Sequence, residues 1–145
     1  MPRCHKNVIT LLYGKGMESQ NTKPYCIEIA DDEGIILLWL SRTVARLCDR
    51  VVTAVNGEQA VQVYRNHKPP IVLLDISMPL KDGLEAAREI RDLARKEGAF
   101  VYLIALTANP FTPEIRDTFD AFLGKPVKTE ALVSLLNQVR ESILI

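Results

Sequence analysis

The stretch that decides the fold is IVLLDISMPLKDG, residues 71–83. Its opening run, Ile71-Val72-Leu73-Leu74, is apolar at every position and follows Pro70. A run that is apolar on both faces is typical of a central strand in a parallel sheet, because such a strand is buried on both sides. Asp75 ends the run, where a carboxylate has little structural purpose. The stretch therefore predicts a buried strand with an acidic group at its carboxyl end.

Outward from this strand, apolar runs of strand length alternate with segments of helical periodicity. The other strands are predicted at 25–30, 51–54, 100–106 and 122–123. The helices are predicted at 33–47, 58–66, 84–96, 113–119 and 128–145. Asn56 and Thr112 are placed to cap two of these helices, and Pro113 suits a first turn. Strict alternation predicts an α/β fold with right-handed crossovers and a parallel sheet covered on both faces.

Residues 1–24 do not share this pattern. They hold a short apolar patch at 8–13 between polar segments, and Met17 is a candidate natural start because the recognisable pattern comes after it. We therefore expect an N-terminal extension over 1–24 and one domain over 25–145, a size that suits a single domain.

Composition excludes several classes of protein. Lys and Arg together number 18, as do Asp and Glu, so the net charge is zero and no basic block is present. This balance disfavours direct nucleic-acid binding. The longest apolar run, residues 35–40, is far shorter than the roughly 20 residues of a membrane span. The three cysteines lack C-x-x-C spacing, which favours reduced thiols and a cytoplasmic protein without a membrane partner.

The polar residues at the predicted strand ends indicate where the chemistry lies. Asp31 and Asp32 follow the first strand, Asp75 the third, Thr107 the fourth and Lys125 the fifth. In an open parallel sheet, ligands bind beyond the carboxyl ends of the strands. We therefore expect all five side chains to meet at one edge.

Three clustered carboxylates repel one another unless a cation neutralises them. Mg²⁺ suits this role because it prefers oxygen ligands and keeps several waters. The cation, Lys125 and the Thr107 hydroxyl would then cradle a phosphoryl group, whose transfer depends mostly on positioning and charge neutralisation. Asp75 is the candidate covalent nucleophile.

These residues carry a resemblance. The stretch 71–83, the preceding Asp31-Asp32-Glu33, and the later Leu106-Thr107-Ala108 and Gly124-Lys125-Pro126 resemble the receiver domain of two-component response regulators. The resemblance covers residues 25–145 and is specific as a combined set. It implies a flavodoxin-like three-layer sandwich with a five-stranded parallel sheet in the order 2-1-3-4-5.

The resemblance also implies roles. Asp75 matches the phosphoacceptor, which takes its phosphoryl group from a phosphohistidine on a histidine kinase or a histidine phosphotransfer protein. Mg²⁺ would be held by Asp32 and Asp75, by Asp31 largely through water, and by the backbone carbonyl of Ser77. Such a receiver is a regulatory phosphoacceptor, not an enzyme, although it assists its own phosphotransfer and dephosphorylation.

Further matches concern the read-out of the phosphoryl group. Thr107, with Ala108 after it, and Lys125 match the phosphoryl-binding positions, and Phe122 matches the aromatic switch position. The Lys125-Pro126 bond is typically cis in this family. Each side chain also has a purely structural interpretation. Asp31-Asp32 would cap the first helix, and the Thr107 hydroxyl would bond to the backbone. Lys125 would be a solvated lysine, and Phe122 a partly buried aromatic without a switching role.

Two rival functions remain open. A degenerate receiver would bind proteins without phosphorylation, but it would be expected to lack one of the five site residues, and none is missing. A phosphatase that resembles the haloacid dehalogenases would need a second aspartate two residues after the nucleophile, where this chain has Ser77. A downstream protein target or a homodimer is a possible output.

Two features depart from the usual receiver. Only 18 positions separate Thr107 from Lys125, so the fourth helix is predicted to be shortened. The first helix is unusually apolar. We expect its buried stripe to be Ile35, Trp39, Leu40, Val44 and Leu47. That assignment leaves Ile36, Leu37 and Leu38 as a candidate partner surface for a phosphotransfer protein, with cover by residues 8–13 or by a second copy as the alternatives.

Overall fold

The computed structural model describes residues 25–108 and 112–143. Five strands alternate with five helices along these ranges. The strands are β1 Cys26–Ala30, β2 Arg50–Ala54, β3 Ile71–Asp75, β4 Tyr102–Thr107 and β5 Ala121–Gly124. The helices are α1 Gly34–Val44, α2 Gly57–His67, α3 Gly83–Glu97, α4 Pro113–Thr118 and α5 Thr129–Ile143. The predictions for residues 1–24, including the apolar patch at 8–13 and the start at Met17, lie outside the described residues.

All strand pairs are parallel, and the sheet order is β2-β1-β3-β4-β5. The predicted α/β fold and strand order are therefore confirmed. The third strand is buried at all five positions, as its doubly apolar sequence requires. The order reverses between β1 and β3, which places a switch point where these two strands end.

Two apolar cores lie on opposite faces of the sheet and make the fold three-layered. Helices α2, α3 and α4 cover one face, with Tyr64 and Ile90 among the fully buried side chains. Helices α1 and α5 cover the other, with Leu40 and Leu132 at its centre. Within the described ranges, no helix combines the length and apolar character needed to cross a membrane. The cytoplasmic location stays a prediction.

Side-chain caps set several helix starts. Asn56 accepts a hydrogen bond from the backbone N–H of Gln59 at 2.7 Å, and Thr112 accepts one from Ile115 at 3.4 Å. Both caps were predicted. Helix α4 has six residues, which confirms that the fourth helix is short.

The predicted buried stripe of α1 is right at Leu40 and Val44 but wrong at Ile35 and Trp39. Ile35 is 83% exposed and Trp39 is 38% exposed, although both were expected in the buried stripe. The buried residues are Leu37, Leu40 and Val44. Six consecutive apolar residues, 35–40, allow more than one stripe at helical spacing, so the pattern alone leaves the rotation of the helix undetermined. Packing on β1 and α5 selects the stripe that includes Leu37.

Candidate phosphoacceptor and metal site

The carboxyl ends of the strands bring the predicted residues to one edge of the sheet. Asp31 follows β1, and its backbone N–H donates to the carbonyl of Ala54 at 3.1 Å. Asp75 and Thr107 are the last residues of β3 and β4, and Lys125 follows β5. The N–H of Lys125 donates to the carbonyl of Thr107 at 3.0 Å, so the end of β5 is fixed against β4.

Three carboxylates form the centre of this edge. Asp31, Asp32 and Asp75 each offer an oxygen, and these oxygens lie within 4.8 Å of one another. Asp31 is fully buried and Asp75 is 2% exposed, whereas Asp32 faces solvent. The cluster is therefore open on the Asp32 side and closed by the sheet beneath it.

The Asp31 carboxylate is partly hydrogen-bonded within its own turn. Its Oδ1 accepts the backbone N–H of Glu33 at 2.9 Å, while its buried Oδ2 has no hydrogen-bond partner. Burial raises the pKa of the Asp31 carboxyl, and the negative charge of Asp75 acts in the same direction. The Glu33 N–H and the Lys125 ammonium oppose that rise.

Lys125 is the cation of the site. Its Nζ donates to Asp75 Oδ1 at 2.8 Å and lies 3.9 Å from Asp31 Oδ2. Burial alone would lower the pKa of Lys125, but the hydrogen bond and charge of Asp75, with the charge of Asp31, raise it overall. Asp75 Oδ1 also accepts the backbone N–H of Ser77 at 3.2 Å. The ammonium is thus held charged against the central carboxylate.

The donor set fits a hard divalent cation. Oxygens on opposite sides of an octahedral Mg²⁺ lie about 4 Å apart, since each bond is about 2.1 Å long. Adjacent ligands lie about 3 Å apart, so the three carboxylate oxygens, which lie within 4.8 Å of one another, would move closer together around the ion. The orphaned Asp31 Oδ2 is a buried acceptor that a cation, or a water bound to it, would satisfy.

The remaining predicted residues lie on β4 and β5 or directly after them. Thr107 is buried and Ala108 after it is exposed. Phe122 lies in β5, partly buried against the core under α2 and α3. The Lys125-Pro126 peptide bond is cis, as the resemblance implied. Residues 109–111 lie outside the described ranges.

Two glycines position the loop from β3 to α3. A Cβ at Gly83 would lie 2.2 Å from the backbone oxygen of Asp75, so only glycine allows α3 to begin there. A Cβ at Gly57 would lie 1.7 Å from the carbonyl oxygen of Lys81. Asp82 caps α3 by accepting the N–H of Glu85 at 2.9 Å. Nothing local in the sequence indicates that Gly57 touches this loop.

The predicted partner surface on α1 needs correction. Leu37 is 9% exposed and belongs to the core under α1 and α5, so it offers nothing to a partner. Ile36 is partly buried against the same core, and Leu38 is 53% exposed. The exposed apolar patch of α1 consists of Ile35, Leu38 and Trp39. We call these three residues the α1 patch.

A groove runs from the acidic centre to this helix. Its volume is about 540 Å³. Its lining combines charged side chains of the site with apolar side chains of α1 and the loop after β5: Asp31, Glu33, Ile36, Trp39, Lys125, Pro126 and Val127. The acidic edge, through Asp31 and Lys125, and the α1 patch, through Trp39, are therefore parts of one continuous surface.

This chain is similar to proteins of known name. The histidine kinase mak3 of Schizosaccharomyces pombe is 32% identical over 121 residues, which are 77% of this chain and 5% of the kinase. The transcriptional regulatory protein PdtaR of Mycobacterium tuberculosis is 30% identical over 122 residues, 83% of this chain and 58% of PdtaR. The chain thus spans only part of the length of these relatives.

Solved structures match over most of the chain. The receiver domain of sensor histidine kinase PA1611 from Pseudomonas aeruginosa, which holds a magnesium ion in its active-site cleft, superposes with a TM-score of 0.70. It is 27% identical, and the match covers 82% of this chain and 99% of that one. The receiver domain of Saccharomyces cerevisiae Ssk1, solved with the phosphotransfer protein Ypd1, shares the fold with a TM-score of 0.71 at 24% identity, over 79% of this chain and 88% of that one.

The family model of the response regulator receiver domain matches residues 27–137, which include every residue of the acidic centre and Lys125. The chain therefore belongs to the response regulator receiver domain family.

Proposed function

We propose that this chain accepts a phosphoryl group on Asp75, with a divalent cation at the acidic centre, and signals through the resulting change in conformation. The observation that carries the proposal is the convergence of Asp75 with Asp31, Asp32 and Lys125 at one sheet edge. Three carboxylates and an ammonium at this separation form a charge arrangement that a structural role would not need. A divalent cation would neutralise the excess negative charge, and the cation and Lys125 would then pair with an incoming phosphoryl group.

The transfer step follows from these contacts. The donor phosphohistidine reacts with its other ring nitrogen protonated: the P–N bond breaks, a P–O bond to a carboxylate oxygen of Asp75 forms, and neutral imidazole leaves. Asp31, Asp32, Asp75 and the Ser77 carbonyl would hold Mg²⁺, which would neutralise charge between the carboxylates and the incoming group. Lys125 already lies against Asp75 and would pair with a phosphoryl oxygen after transfer.

The signal would leave through the groups that border Asp75. Thr107 ends the neighbouring strand, and its hydroxyl and the Ala108 backbone would bind the phosphoryl oxygens as β4 adjusts. Phe122, one strand further, is only partly buried and therefore has room to change its rotamer. The site would also direct water to the phosphoryl group, which gives the receiver a part in its own dephosphorylation.

The donor in this proposal is a histidine kinase or a histidine phosphotransfer protein. The relatives that support it are mak3, itself a histidine kinase, and SSK1 of Verticillium dahliae, 37% identical over 87 residues. A donor needs to reach Asp75, which is only 2% exposed, so its surface must close over the groove. The α1 patch borders that groove through Trp39 and would bury apolar area against the donor.

Phosphorylation by acetyl phosphate with Mg²⁺, followed by intact-protein mass spectrometry, tests the proposal without needing the natural donor. Wild-type protein should gain the mass of one phosphoryl group, and Asp75→Asn should gain none. Asp82→Asn is the matched control, because it changes a carboxylate on the same loop yet keeps a side chain that caps α3. Labelling of Asp75→Asn equal to wild type would refute the assignment. Absence of labelling in wild type would favour a receiver that binds proteins without phosphorylation.

A further inference from the structure

Three exposed apolar side chains lie together on the outer face of α1. Leu38 and Trp39 come three and four residues after Ile35, so the α1 patch forms one face of the helix, opposite the face that packs Leu40 and Val44 into the core. The patch continues into the groove of about 540 Å³ through Trp39. Contiguous apolar surface of this kind indicates a binding partner.

The two ends of the patch differ in charge. Asp32 and Glu33 are exposed directly before α1, and Glu33 lines the groove together with Trp39. Arg42 is exposed on the same face, one turn beyond the patch. A ligand with an apolar centre and one basic end would therefore lie along α1 with its basic end towards the acidic centre.

The segment that precedes the domain has this composition. Residues 8–13, VITLLY, are apolar at every position except Thr10, and Arg3 and Lys6 come before them. Residues 1–24 together hold four Lys and Arg against one glutamate. The segment thus complements the patch both in apolar character and in charge.

The connection between this segment and the domain has the length that a contact needs. Tyr25 lies at the amino end of β1, where its carbonyl accepts the N–H groups of Asp49 and Arg50. The strand is about 17 Å long and α1 lies about 10 Å off the sheet, so the patch is about 20 Å from Tyr25. The eleven residues 14–24 reach about 36 Å when extended, and a chain of that length containing Gly and Ser averages about 20 Å end to end. A tether whose average length equals the span gives the highest effective concentration, in the millimolar range.

We propose that residues 8–13 bind the α1 patch of the same chain, with Arg3 and Lys6 beside the acidic residues at its amino end. The direction of the chain agrees with the charges. The segment leads away from the amino end of β1, so its earliest residues reach the opposite edge of the sheet, where Asp32 and Glu33 lie. If Asp75 accepts a phosphoryl group as proposed above, a donor protein that uses the α1 patch has to displace this segment first.

Trp39 reports on the contact directly, because it is the only tryptophan of the chain and belongs to the patch. Quenching of its fluorescence by acrylamide is measured in the full-length chain. Leu11→Asn combined with Leu12→Asn removes apolar side chains from the segment without changing its charge. Met17→Asn is the matched control, since it removes an apolar side chain from the connection and leaves residues 8–13 intact.

The Stern–Volmer constant of Trp39 should be about twofold higher in the Leu11/Leu12 variant than in wild type, as expected when a tethered cover is lost. Met17→Asn should equal wild type. Arg3→Glu combined with Lys6→Glu should give an intermediate constant at low salt and approach wild type at high salt, where charge interactions are screened. Equal constants in wild type and in the Leu11/Leu12 variant overturn the contact.

A synthetic peptide of residues 1–16 separates loss of the cover from loss of the fold. Added to the Leu11/Leu12 variant at about 10 mM, above the effective concentration of the tether, it should return the constant to the wild-type value. The same peptide with both leucines replaced by asparagine should have no effect. An unfolded variant could not respond in this way, and failure of the unmodified peptide to restore shielding overturns the proposal.

Two further measurements separate the alternatives. The shielding of Trp39 should not change with protein concentration, and shielding that grows together with a dimer in sedimentation would assign the patch to a second copy of this chain and overturn the proposal. Labelling by acetyl phosphate is measured separately. Its absence in wild type refutes the proposed function and leaves the Trp39 result standing, whereas normal labelling with equal quenching refutes only the contact of residues 8–13.

Discussion

Glu28 gives the fold a pH dependence that one substitution should remove. The residue lies in the middle of β1, fully buried, with neither carboxylate oxygen hydrogen-bonded. Its strand neighbours are Val52 on β2 and Val72 on β3, and it interacts electrostatically with Tyr64 of α2. Burial raises the pKa of Glu28 from 4.5 to about 9, so the folded protein holds this carboxyl protonated at neutral pH.

The sign of the effect follows from proton uptake on folding. Between pH 4.5 and about 9 the folded chain holds a proton on Glu28 that the unfolded chain has released. The free energy of unfolding is therefore highest below the unfolded pKa and falls as the pH rises towards the folded one. The rise from 4.5 to about 9 corresponds to about 6 kcal/mol at about 1.36 kcal/mol per pKa unit. About 3 kcal/mol of this has been lost by about pH 7.

Glu28→Gln keeps the size of the side chain and cannot ionise. We expect the stability of the variant relative to wild type to increase by about 3 kcal/mol between about pH 4.5 and pH 7. Urea unfolding followed by circular dichroism at a series of pH values measures the difference. Glu97→Gln is the control: Glu97 is 48% exposed in an ion pair with Lys68 and should give a difference that hardly changes with pH. Parallel stability curves for wild type and Glu28→Gln would refute the reasoning.

Two further predictions concern the acidic centre and its supporting loop. Mg²⁺ at about ten times its Kd should raise the free energy of unfolding by about 1.4 kcal/mol, because it binds the folded state alone. Differential scanning calorimetry should show this rise for wild type and a much smaller one for Asp32→Asn, and equal rises would contradict the metal assignment. Gly57→Ala should destabilise by about 1–3 kcal/mol, since its Cβ would lie 1.7 Å from a loop carbonyl. Gly34→Ala, with nothing within 4 Å of the added atom, should leave stability unchanged or slightly raised in the same thermal assay.

The order of the elements could be predicted because each apolar run is bounded by residues that end it. Asp75 follows four buried positions of β3, and Asn56 and Thr112 mark helix starts by their own capping bonds. Once the alternation predicts a parallel sheet, residues at the ends of different strands must share an edge. The grouping of Asp31, Asp75 and Lys125 followed from that topology before any distance was known.

Other features depend on contacts between distant segments and had no local signal. Gly57 and Gly83 matter because of backbone atoms 24 and 8 residues away in the chain, at Lys81 and Asp75. Glu28 did carry a signal that was not used, because a carboxylate flanked by Ile27 and Ile29 in a strand covered on both faces has no route to solvent. Local patterns predict elements and their ends, whereas close approaches between loops require the assembled fold.

The α1 helix and the β3–α3 loop show how this division affects function. Residues 35–40 offer more apolar side chains than one helix face can bury, and packing decides that Leu37 turns inward while Ile35 and Leu38 turn outward. Leu80 is directed outward by a turn whose shape is fixed by Gly57 and by the ion pairs of Lys81. In both places the residue types indicate an excess of apolar side chains, and the tertiary contacts determine which way those side chains point. Because a Cβ at Gly83 would collide with the Asp75 carbonyl, this loop packs directly against the end of the strand that carries Asp75, and its direction and the position of Asp75 depend on the same close contact.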